Sequence, residues 1–172
     1  MVISSSAILK SNLFTQPHAN LFNLINNKNN IPDPISTLPT QQQSRKMVYT
    51  REPDLGHNFK GYPLIAVYPA EADYGFKTLG MSKSFIAWTI KVEIWSSDRI
   101  NEFEGRGMEF IDNLSDYLVM ALNNLSNRKI LLDYGMANIT PNVVSTDILE
   151  NENELVYVRR FDVNFNRLTL TG

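Results

Sequence analysis

There is no cysteine in the 172 residues, so disulfides, thiolate-held zinc and cysteine nucleophiles are excluded together. Histidine is almost as scarce. His18 and His57 leave little material for a His-based metal site or a Ser-His-Asp triad. A basic surplus is missing too: 16 Lys and Arg face 18 Asp and Glu, for a net charge of −2. A protein that grips nucleic acid through its phosphates normally carries a basic patch. No stretch approaches the ~20 apolar residues that cross a bilayer. Met1–Lys10 lacks a basic n-region, and three serines interrupt its apolar run, which makes it a poor secretory signal. What is left is ordinary for a globular chain, 43% hydrophobic and 20% charged, and its length suits one domain with appendages.

The N-terminal quarter divides into two short helical patterns and an arm. Serines ahead of Ala7, Ile8 and Leu9 predict a capped amphipathic helix over 4–12. Leu21, Phe22, Leu24 and Ile25 predict a second over 18–27. Both are too brief to stand alone and must dock on something. From Asn26 to Lys46 the chain is rich in Asn, Gln and Pro, with Ile31, Ile35 and Leu38 as its large aliphatics. That is too little apolar surface to order the segment as a core of its own. It reads either as a linker or as an extended arm that orders against a neighbouring subunit. Residues 1–46 are therefore expected to form an appendage, and 47–172 the domain.

Within the domain the periodicity is clear. Met47–Tyr49 and Tyr62–Tyr68 read as strands around the turn-rich segment Arg51–Gly56. Over Lys83–Trp95, residues Ile86, Trp88, Ile90, Val92 and Ile94 alternate with Thr89, Lys91 and Glu93, the period-two mark of a strand with one buried face. Its expected partner is Glu154–Arg167, where Leu155, Tyr157, Phe161, Val163 and Phe165 share a face that Arg159 interrupts. Shorter strands are expected over 129–134 and 143–149. One long helix is predicted from Asp98 to Ser126, its stripe running from Phe103 through Phe110, Leu114 and Leu118 to Leu125, with Ser96 or Ser97 as cap. A helix on one face of a mostly antiparallel sheet, with short N-terminal helices, makes the fold class α+β.

On that helix Asp98, Glu102, Glu109, Asp112 and Asp116 fall on the outer side, with no Lys or Arg among them. Such a stripe is either a solvated face, or a surface that meets a basic partner or lets a polyanion slide past. Catalytic patterns are weaker. Pro53-Asp54 with Lys91-Val92-Glu93 has the elements of a nuclease motif in the wrong order, Glu71 and Asp73 read as a loop pair, and His57 has no evident companion. Gly-rich phosphate loops, His-Glu-x-x-His and Gly-x-Ser-x-Gly are absent. No catalytic, metal or cofactor residue is assigned, and the chain is expected not to be an enzyme.

The order of elements carries a resemblance. The Pro-flanked strand Tyr62–Pro69 precedes a long strand ending Ile90-Lys-Val-Glu-Ile-Trp95. A helix bearing Ile111-Asp-Asn-Leu-Ser-Asp-Tyr-Leu118 follows, and the chain closes with Tyr157-Val-Arg-Arg-Phe-Asp-Val-Asn-Phe165. Over about 47–168 this resembles the tail-terminator (tail-completion) proteins of tailed viruses, small α+β subunits that form a hexameric ring at the neck. The resemblance implies a structural virion protein, assembled in the host cytoplasm, that caps the tail tube and joins it to the head-side connector. Its partners would be copies of itself, the tail-tube protein and the connector, with DNA passing through unbound. It implies no cofactor and no membrane. Another head–tail connector subunit, or a non-viral adaptor that binds peptides, is the alternative.

Overall fold

Lys83–Ser97 forms β4, the strand around which the rest is assembled. The structure is a computed structural model that describes residues 15–35, 46–50, 61–69, 71–78, 83–99, 105–151 and 154–170. Ahead of β4 come helix α1 (Thr15–Ile25) and strands β1 (Val48–Tyr49), β2 (Leu64–Val67) and β3 (Glu71–Thr78). After it come α2 (Gly107–Asn123), α3 (Leu125–Asp133), β5 (Ala137–Asn151) and β6 (Glu154–Leu170). The strands form one six-stranded sheet in the order β1-β2-β4-β6-β5, with β3 also paired to β4. Every pairing is antiparallel except β1 with β2. The fold is α+β, as the alternation predicts.

The predicted partnership of β4 and β6 is present in full, running from Lys83↔Leu170 to Ser97↔Val156 without a break. Because β6 occupies one edge of β4 throughout, β2 (opposite 92–95) and β3 (opposite 84–89) share its other edge. The even-numbered residues Trp88, Ile90, Val92 and Ile94 all lie on one face and are buried, as are Phe161, Val163 and Phe165 opposite them. Trp88 and Phe165 stack with ring centroids 6.4 Å apart. Onto this face α2 lays Ile111, Leu114, Leu118, Ala121 and Leu122 in a single apolar cluster, the arrangement expected of a helical stripe meeting a sheet face.

Four local readings are corrected. The long helix begins at Gly107, not Asp98, and breaks at Asn124 into α2 and α3. Neither Ser96 nor Ser97 caps it, since Arg106 is the N-cap residue and makes no side-chain cap bond. Residues 129–134, expected to be a strand, instead belong to α3 and its end. Asn124 accepts from the backbone N–H groups of Ser126 and Asn127 and so starts α3. The left-handed Gly135 stops it, with Met136 N–H returning to the Leu131 carbonyl at 2.9 Å. Glu71 and Asp73 lie on β3 rather than on a loop, held there by pairing with Thr89 and Ala87.

The first part of the expected arm also behaves differently. Residues 26–35 continue from α1 over the domain, and Ile31 and Ile35 are each 1% exposed. Ile31 joins the main cluster with Leu21, Leu24 and Ile25, while Ile35 packs with Phe110. The few aliphatics cannot build a core, but they can enter one that the sheet and α2 already supply. Asp33 Oδ1 accepts the N–H of Ile35 and steadies the insertion. The predicted helix over 4–12, residues 36–45 of the arm, the turn at 51–56 with Asp54, and His57 lie outside the described residues.

Candidate functional site

The five acidic residues do not form one stripe. Glu109, Asp112 and Asp116 project from the exposed side of α2, while Asp98 lies on the loop after β4 and Glu102 is outside the described residues. Asp98 serves the helix instead of decorating it. Its Oδ1 accepts the Gly107 N–H at 3.1 Å, and its Oδ2 accepts the Tyr157 hydroxyl at 2.8 Å. A carboxylate at the first turn satisfies an orphan N–H and faces the positive end of the helix dipole. The cap sought at Ser96 or Ser97 is thus supplied by the next residue, across a loop whose Gly105 N–H returns to the Asp98 carbonyl. The bond to Asp98, more than burial, raises the Tyr157 hydroxyl above its ordinary pKa.

Two of the three carboxylates on α2 are already paired. Glu109 meets Arg106 one turn earlier, and that bond lowers the Glu109 pKa while raising that of Arg106. Asp112 pairs with Arg159 at 2.8 Å. Arg159 is the residue that interrupts the apolar face of β6, and the structure gives it four polar neighbours. Besides Asp112 it donates to Ser115 Oγ at 3.2 Å and Thr146 Oγ1 at 3.1 Å, and it approaches Met108 Sδ at 4.0 Å. It ties helix to sheet where a hydrophobic residue would otherwise be expected. Among the described residues no ion pair engages Asp116, so the acidic face narrows to that side chain and the outer edges of two pairs.

The other face of the sheet holds a second cross-link. Glu93 accepts from the Tyr68 hydroxyl at 2.9 Å, Trp95 Nε1 at 3.0 Å and Arg160 Nε at 2.8 Å. Arg160 also pairs with Asp147, spanning β4, β6 and β5. This network consumes Glu93, one member of the scrambled nuclease pattern, as a structural acceptor. His18 is likewise engaged, its Nε2 lying 2.9 Å from the Val67 carbonyl oxygen. Among the described residues no group of three His, Asp or Glu converges as a metal site would, and no helix is long and apolar enough to cross a membrane.

The feature that sequence reading missed is the outer edge of the sheet. A strand over 143–149 was expected, but β5 runs for 15 residues and among the described residues pairs with β6 alone. Val143, Val144, Ile148 and Leu149 are 41–60% exposed along it, with Leu155 beside them on β6. Register shifts near Val143 and between Ala137 and Thr140 bend the strand. A signal was available in the β-branched residues Ile139, Thr140, Val143, Val144, Thr146 and Ile148, which favour a strand although apolar and polar residues do not alternate there. No family model and no curated protein matches this chain.

Proposed function

We propose that the chain is a structural subunit of the neck of a tailed virus, one that assembles as a ring, ends the tail tube and joins it to the head-side connector. The observation that carries this reading is the long edge of β5, unpaired among the described residues, with its exposed valines, isoleucine and leucine. Unpaired backbone donors and acceptors along an apolar edge favour association, and a soluble monomer normally blunts such an edge. The sheet has a second, different margin at β3 and β1, among the described residues. Two unlike surfaces are what a head-to-tail contact needs, and such contacts close into a ring when the rotation fits. The order of elements across residues 47–168 supports the same reading. In this role the chain carries no catalytic group, and its slight negative charge suits a channel through which DNA passes without sticking.

A peptide-binding adaptor could use the same edge by adding a partner strand. Sedimentation of the purified chain separates the two readings, with electron images of any ring formed. A closed ring of about six copies that binds the ends of tail tubes is expected. Lys at both Val143 and Val144, which leaves the buried faces untouched, should return it to monomer. A monomer at all concentrations that neither self-assembles nor binds tail tubes would refute the proposal.

A further inference from the structure

A half-open cleft of about 210 Å³ lies between α1 and α3, far in role from the sheet edge. Its lining is unusual in composition: five carboxamides, Asn20, Asn23, Asn27, Asn30 and Asn127, with Leu24, Ile130, Leu131 and Tyr134, and no charged side chain. Several amides are held in place. Asn30 donates to the Leu24 carbonyl at 3.0 Å, and Asn127 donates to the Ala121 carbonyl at 2.9 Å and to Asn30 Oδ1 at 3.3 Å. Asn20 differs. Its Nδ2 is buried and has no acceptor among the described residues. A buried amide donor without an acceptor is a cost, and a turn of the Asn20 side chain toward the cleft would let an incoming oxygen relieve it.

We infer that this cleft binds a single neutral sugar ring. Each carboxamide offers both donors and an acceptor, which matches hydroxyl groups that themselves donate and accept. The half-exposed Tyr134 and Ile130 supply apolar surface above the buried Leu24 and Leu131, suiting the C–H face of a pyranose. Without a charged group in the lining, an anion or cation entering would leave its charge uncompensated. The volume admits one ring and no extended chain. The inference is independent of the proposed ring assembly, since none of these residues lies on the sheet.

The test is a titration of the isotope-labelled full chain with the methyl glycosides of glucose, galactose and N-acetylglucosamine. It is read on the side-chain amide signals of Asn20, Asn23 and Asn127 and the ring signals of Tyr134. At least one sugar should give a saturable, millimolar response confined to those groups. Asn23→Ala alters an exposed side chain and should weaken binding about tenfold, the worth of one hydrogen bond. Asn20→Leu should abolish it. The inference is overturned if no sugar gives a saturable response, as a cleft holding only water would behave. It is equally overturned if Asn23→Ala binds as well as the parent, or if N-acetylglutamine amide binds more tightly than every sugar.

Discussion

Replacing Gly107 by Ala should destabilise the protein, although alanine is the better helix former. A Cβ built on Gly107 would stand 2.8 Å from Asp98 Oδ1, 2.8 Å from the Ser97 carbonyl carbon and 2.8 Å from Tyr157 Cδ2. One of these neighbours is backbone and cannot swing aside, and the other two are joined to each other by the Tyr157–Asp98 hydrogen bond. Relieving the overlap must displace the helix start or the Asp98 carboxylate, which also receives the Gly107 N–H. Overpacking costs about 1–3 kcal/mol, and a weakened bond to a charged group about 1.5–3 kcal/mol. Against this stands a gain of at most ~1 kcal/mol from helix propensity and reduced unfolded-state freedom. The net expectation is a loss of roughly 2–4 kcal/mol, a fall in Tm of roughly 5–15 °C for a domain of this size. Urea and thermal unfolding of Gly107→Ala beside the parent measure it directly. Tyr157→Phe removes the hydroxyl bond to the same carboxylate without adding bulk and should cost about 1.5 kcal/mol, less than Gly107→Ala. A Gly107→Ala protein as stable as the parent, or more so, would refute the close approach of loop, helix and β6.

Phe110→Ala should cost about 3–5 kcal/mol by denaturant unfolding, because its ring is 4% exposed and packs on Ile35 and Tyr62. The same change should increase proteolytic cutting near Ile35, which loses its main buried neighbour. Asp112→Lys should be about 1 kcal/mol more destabilising than Asp116→Lys, since only the former sets a cation against Arg159, and the difference should shrink in high salt. The raised pKa of Tyr157 means that its contribution to stability is complete below the unfolded tyrosine pKa of ~10 and is lost as pH rises through the higher folded value. Tyr157→Phe should therefore flatten part of the alkaline loss of stability, leaving the share due to Tyr62, whose pKa is also raised, by burial first and by Glu154 second.

Local periodicity by itself determined the strands β4 and β6, their pairing and the helix face that covers them. Trp88, Ile90, Val92 and Ile94 can bury together only as a strand, and Ile111, Leu114, Leu118 and Leu122 only as a helix, because the two repeats differ. The helix boundaries were less legible. Phe103 continues the helical spacing in sequence, yet α2 waits until Gly107, where Asp98 returns to supply the cap. The run Lys129–Tyr134 is short and apolar enough to suit either a strand or a helix. The Asn124 cap and the burial of Leu131 settle it as helix.

Tertiary structure alone decided the fate of the charged and marginal residues. The acidic stripe looked unpaired because the helix sequence was read by itself. Glu109 finds Arg106 one turn earlier, but the counter-charge of Asp112 comes from Arg159, 47 positions beyond it in the chain and brought beside it by the β6 register. Ile31 and Ile35 could not order a segment of their own, but the sheet and α2 offered them a core to enter. The length of β5 left unpaired among the described residues likewise became visible only with the sheet order, since a strand's own residues do not reveal whether it will have one neighbour or two. Periodicity is a property of neighbours along the chain, whereas ion pairing, docking and edge exposure depend on segments that meet only after folding.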